Sequence, residues 1–216
     1  MHDEPEIKPE DPKDLHTAFQ KWAYRQVIHR TDQHHSWRNL AHSYFFACEP
    51  LIRQLSVGHL KEDIEGTAAI FLFRHYLELA VKQIILIGRI VKVKDELLHD
   101  AVRNEVEAVK NIHGLATLWG WVIADAKPHI EHWDNYDVES VERCVQEFDA
   151  LDPKGFAFRY PGHGGEYYRY DFVGLRDQMN HIREVLDGLF EYLSQMNEEI
   201  MEYEDYLSHE FGYEGY

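Results

Sequence analysis

The sequence predicts an all-α protein, a bundle of helices, and three observations carry that reading. First, Leu175, Met179, Ile182, Leu186, Leu189, Leu193, Met196, Ile200 and Tyr203 recur at alternating spacings of four and three, the a/d seam of helix-on-helix packing. Second, the stretch from Ile64 to Ile90 is almost wholly apolar and far too long for a strand. Third, apolar residues repeat at helical spacing through most of the remaining chain, and strand-like alternation is confined to residues 156–172.

The elements follow in order. Residues 1–13, acidic and proline-rich, have little to bury and read as a disordered tail rather than a signal peptide. From Asp14 to about His34, Leu15, Phe19, Trp22 and Val27 fit a helix. Ser36 can cap a second helix with apolar residues Leu40, Tyr44, Ala47, Cys48, Leu51 and Leu55. Pro50 should kink it or end its first half, and Gly58 breaks the pattern. Asp63 can cap the long apolar helix, which runs to about Arg89. Asp95 opens another, through Leu98, Val102, Val106 and Val109, until His113-Gly114 interrupts it. Leu115, Leu118, Trp119, Val122 and Ile123 resume helical spacing as far as Pro128. Asp137 to Leu151 is helical through Val141, Cys144, Val145 and Phe148, and Asp152-Pro153 closes it.

In 156–172, Phe156, Phe158 and Tyr160 alternate, Pro161-Gly-His-Gly-Gly165 turns the chain, and Tyr168, Tyr170 and Phe172 alternate again. This is a small hairpin or an ordered aromatic loop; a lone two-stranded hairpin is marginal, which favours the loop. The seam of the last helix serves bundle packing or a dimer interface. Packing suits its first half, and past about Gln195 the helix can outrun the domain and meet a partner. Residues 208–216 mix acids with aromatics, as a frayed tail or a short docking segment. Residues 14–207 thus read as a single helical domain between two tails.

With 44% hydrophobic residues the chain can bury a sizeable core. Its net charge is −17, from 39 acidic and 22 basic residues, which disfavours non-specific binding to a phosphate backbone outside a local basic cleft. Cys48 and Cys144, at apolar helical positions, read as buried thiols in a reducing compartment. The longest apolar run, around Ile84 to Ile87, is too short to span a bilayer, and the expected location is the cytoplasm.

Arg74, Glu78 and Lys82 stand i, i+4, i+8 inside the apolar stretch, on one line along one helix face. A surface reading gives an ordinary ion pair with Lys82 snorkelling outward. Yet Ile70, Phe71, Phe73, Tyr76, Leu77, Ile84 and Ile85 cover nearly every direction. The favoured expectation is a buried network of Arg74, Glu78, His113 and Arg159 that fixes the aromatic loop to the bundle. The alternative is a phosphate or nucleotide pocket built from Arg74, Glu78, Lys82, His113, Arg159 and Tyr160.

The order of these signals carries a resemblance. An apolar helix holding Arg, Glu and Lys (FLFRHYLELAVKQIIL), then HGLATL, then FRYP before a long last helix, resembles the HEPN family of helical domains over roughly residues 64–205. The resemblance implies an up-and-down helical bundle, here with extra N-terminal helices and a long C-terminal helix. It also implies a homodimer, a setting in prokaryotic toxin–antitoxin or phage-defence systems, and action through a protein or RNA partner.

Catalytic members of that family are metal-independent endoribonucleases with an Arg-x(4–6)-His motif. Arg30…His35, Arg53…His59 and Arg176…His181 have this spacing, about what chance gives in a chain with 15 histidines. In that family Asn, Asp or His often follows the arginine, and of the three only Arg176-Asp-Gln-Met-Asn-His181 has such a residue there. On an intact helix residues five apart point ~140° apart, so this pair meets only at an irregular helix start or across a dimer cleft. Arg159-Tyr-Pro-Gly-His163 is shorter, but lies in a loop where the two side chains could meet. The catalytic candidates are therefore Arg176, His181, Arg159 and His163, with histidine as base for a 2′-hydroxyl and arginine against the phosphorane charge. No metal or other cofactor is expected: His129-Ile-Glu-His132 lacks a closed ligand set, and Gly162-His-Gly-Gly165 lacks the Lys-Ser/Thr of a P-loop. A non-catalytic helical scaffold subunit is the remaining alternative.

Overall fold

A computed structural model describes residues 33–95, 108–155 and 170–211. The chain divides into two compact units, Met1–Ser36 and Trp37–Tyr216, and of the first only residues 33–36 are described. The helix expected from Asp14, most of the Asp95 helix and residues 156–169 lie outside the described residues. Among the described residues there is no strand, and the fold is all-α.

Helix α1 spans Gln33–Ser56. Ser36 therefore stands inside it rather than at its cap. Pro50 does not end it: Pro50 and Phe46, whose carbonyl loses its N–H partner, both face outward, where water can take that carbonyl. Gly58, at φ +73, terminates the helix, its N–H donating to Leu55 O (3.0 Å) while the His59 N–H donates to Gln54 O (2.9 Å). Such paired return bonds need the left-handed conformation that glycine adopts without strain.

Helix α2 spans Thr67–Asp95, six residues past the expected end, because burial continues through Ile90 and Val91. A wide turn, Glu62–Gly66, leads into it. Asp63 lies within this turn, and Glu65 serves the helix start instead, its carboxylate accepting the Lys61 N–H at 2.9 Å. Helix α3 spans Leu115–Trp121, followed by a wide turn, Val122–Ala126, and a tight one, Lys127–His129. Helix α4, Val138–Leu151, starts where expected: the Asp137 carboxylate caps it by accepting the Ser140 N–H at 3.3 Å. Helix α5, Phe172–Phe211, is 40 residues long, about 60 Å.

Helix α2 is the core element, buried on almost all sides. Helix α5 packs on it through Met179, Ile182, Leu186, Leu189 and Leu193, the first half of the seam. Burial then fades, with Met196 only partly covered. Helix α1 runs antiparallel to α5, since Arg38 meets Glu191, His42 meets Asp187 and Ser56 meets Arg176. Cys48 and Cys144 are buried free thiols, and burial pushes both up to about 12. No helix among the described residues is long and apolar enough to cross a membrane.

One close approach fixes how α3 meets α2. A Cβ on Gly88 would stand 2.8 Å from Ala126 Cα and 2.9 Å from its Cβ, so the wide turn lies directly on the α2 backbone. Gly88→Ala is expected to destabilise the fold by about 1–3 kcal/mol, since backbone must move to admit the methyl. Gly120→Ala is the control: nothing lies within 4 Å of its Cβ position. Urea unfolding of the two variants should separate them, and equal midpoints would contradict the close contact.

Candidate functional site

The stripe on α2 is buried. Arg74, Glu78 and Lys82 are 2%, 1% and 2% exposed, so Lys82 does not snorkel to solvent. The apolar residues on every side of α2 leave no path outward for its stem.

Glu78 is the hub. Its Oε2 accepts from Arg74 Nη1 at 3.0 Å, and its Oε1 accepts from Lys82 Nζ at 2.8 Å and lies 2.9 Å from His113 Nδ1. Lys82 also donates to the Lys110 carbonyl at 3.1 Å, and its ammonium faces the Trp37 ring at 5.9 Å. Arg74 Nη2 donates to the carbonyls of His113 (2.7 Å) and Asp152 (3.4 Å). Its Nε lies 3.3 Å from Asp152 Oδ2, an ion pair too far off line to be a hydrogen bond. Two cations and two carboxylates thus cancel, and the carbonyls of Lys110, His113 and Asp152 take remaining protons. That arrangement makes burial of four charges tolerable. Burial alone would raise the Glu78 carboxyl. The hydrogen bond and charge of Lys82, then those of His113, outweigh it and hold the group below its ordinary value.

The network joins three parts of the chain: α2, the His113-Gly114 break before α3, and the turn after α4. In that turn Gly155, at φ +74, lays its backbone against Arg74, and a Cβ there would stand 3.1 Å from both terminal nitrogens. The Gly155 N–H donates to Asp152 O at 3.2 Å, closing an Asp-Pro-Lys-Gly turn. Only His113 reaches the surface, with a side chain 41% exposed.

The structure thus brings Arg74, Glu78, Lys82 and His113 together. Arg159, Tyr160 and His163 lie outside the described residues. Asp152 and Gly155 were missed. The Asp-Pro dipeptide reads from sequence as a helix stop, and nothing local marks its carboxylate as the partner of a residue 78 positions earlier.

Arg176 and His181 stand on the unbroken α5 with separate partners. Arg176 donates from Nε and Nη2 to Asp177 Oδ1 (2.9 and 2.6 Å) and lies 3.4 Å from Ser56 Oγ. His181 Nε2 lies 2.8 Å from Asp137 Oδ2, and both side chains are 48% exposed. Hydrogen bonds from Ser140 and then His181 hold the Asp137 carboxyl below its ordinary range. Among the described residues no group of three or more His, Cys, Asp or Glu could hold a metal ion.

Fold and site together define an all-α bundle whose central helix carries an internally neutralised ionic network. Compared with known proteins, the chain matches no family model, no curated protein and no solved structure.

Proposed function

We propose that this chain is a HEPN-like cytoplasmic protein of a prokaryotic defence or toxin–antitoxin system, acting by pairing with a second copy and binding a protein or RNA partner. The supporting observation is the network itself. The charges of the FRHYLELAVK stretch hold the His113 break and the turn that opens the segment bearing Phe158-Arg-Tyr-Pro161. Because Arg74 and Lys82 are sealed and neutralised, recognition falls to the outer surfaces of the bundle.

A metal-independent endoribonuclease is the second reading, favoured by the half-exposed His181 that Asp137 orients. Against it, the Arg176 guanidinium is committed to Asp177. The two readings are separated by incubating the purified protein with labelled RNA in EDTA, beside His181→Ala and His163→Ala, and by light scattering over a concentration series. The expected result is a dimer that leaves RNA intact. Cleavage lost in either variant would move the assignment to the nuclease, and a monomer at every concentration would remove the pairing.

A further inference from the structure

Between Arg38 and Arg53 the exposed residues of α1 are Asn39, Leu40, Ser43, Phe46, Ala47 and Pro50, none of them charged. In a chain of net charge −17 that is an odd face to offer water, and Leu40 and Phe46 are 47% and 61% exposed. Arg183 of α5 borders this face. Its guanidinium stacks over buried Phe45 at 4.8 Å and lies 6.0 Å from the Phe46 ring. Its Nε is buried without a hydrogen-bond partner, and among the described residues no carboxylate pairs with it. Asp187, one turn further on, is engaged by His42 at 2.9 Å. A guanidinium held flat by an aromatic ring is pre-set for a carboxylate from outside.

We propose that this face of α1, with Arg183, docks residues 202–211 of a second copy of the chain; the proposal rests on the pairing proposed above. That segment belongs to α5 and supplies the complementary chemistry. Tyr203, Tyr206, Leu207 and Phe211 recur at spacings of three, one and four, one stripe of a helix, and Glu202, Glu204, Asp205 and Glu210 accompany them without a single Lys or Arg. The contact cannot form within one chain, because residue 202 lies about 28 Å beyond Arg183 along the same continuous helix. Nor do two α1 faces suit each other, since a two-fold contact would bring Arg183 against its own copy.

The test uses the full chain and a fluorescent peptide of residues 200–216. The expected result is saturable binding of the peptide, weakened by 0.5 M salt and at least tenfold weaker in Phe46→Glu and Arg183→Glu. Both variants should also be monomeric in light scattering at concentrations where the wild type is a dimer. Circular dichroism confirms that they fold. A wild type that is dimeric, with both folded variants equally dimeric, overturns the docking surface while leaving the pairing intact. Variants that turn monomeric although the peptide never binds overturn it too, in favour of another occupant. A monomeric wild type removes both claims.

Discussion

Glu78→Ala is expected to cost about 3–5 kcal/mol of folding stability, because it strands the buried Arg74 and Lys82 cations with Asp152 as their only carboxylate. In a chain of this size that corresponds to a melting temperature lower by about 6–20 °C. Glu78→Gln keeps the shape and removes the charge, and should fall between the two. The pH dependence carries the same signature. The folded-state carboxyl titrates below its ordinary value of 4.5, so its contribution is present above that pH and is lost as pH falls through the lower folded value. The stability gap between wild type and Glu78→Gln should therefore be constant near neutrality and shrink below pH 4.5. A gap that persists unchanged to lower pH would mean the carboxylate is not the stabilising species.

Gly155→Ala is expected to cost about 2–4 kcal/mol of folding stability. About 1–2 kcal/mol comes from forcing an L side chain into φ +74, and the rest from pressing its Cβ onto the Arg74 guanidinium at 3.1 Å. The two causes separate in a double mutant. In an Arg74→Met background the crowding is relieved and the backbone strain stays, so the additional cost of Gly155→Ala should drop by about half. Chemical denaturation of the four proteins reads this directly, and strict additivity would argue that Gly155 and Arg74 do not touch.

Much of the bundle is legible in the residues, and the failures have identifiable causes. The seam Met179–Ile182–Leu186–Leu189–Leu193 is buried as its spacing requires, because an a/d repeat leaves no other face to bury. Helix α4 begins at Asp137 as its spacing indicates, and the Asp137 carboxylate caps it. Ser36 and Asp63 looked equally good as caps, yet α1 begins earlier and a wide turn stands where α2 was to start. Local capping preferences of about 1 kcal/mol are readily overridden by tertiary packing. The stripe itself was visible as charges in apolar surroundings, and so was His113. Asp152 was not, because a long-range ion pair leaves no periodic trace. For Arg176 and His181 the helical spacing already pointed the side chains apart, and each has its own carboxylate partner.

The stacked charges of α2 also act as an index mark for the bundle. Apolar side chains tolerate sliding, since one greasy surface exchanges for another at small cost. Arg74, Glu78 and Lys82 do not, because each meets a fixed acceptor or donor outside α2, at His113, Lys110 or Asp152. A slip of α2 by one residue rotates all three by about 100° and carries them 1.5 Å along the axis, unpairing four interior charges at once. A helix apolar on nearly every side could otherwise settle at several rotations. These three residues leave it one.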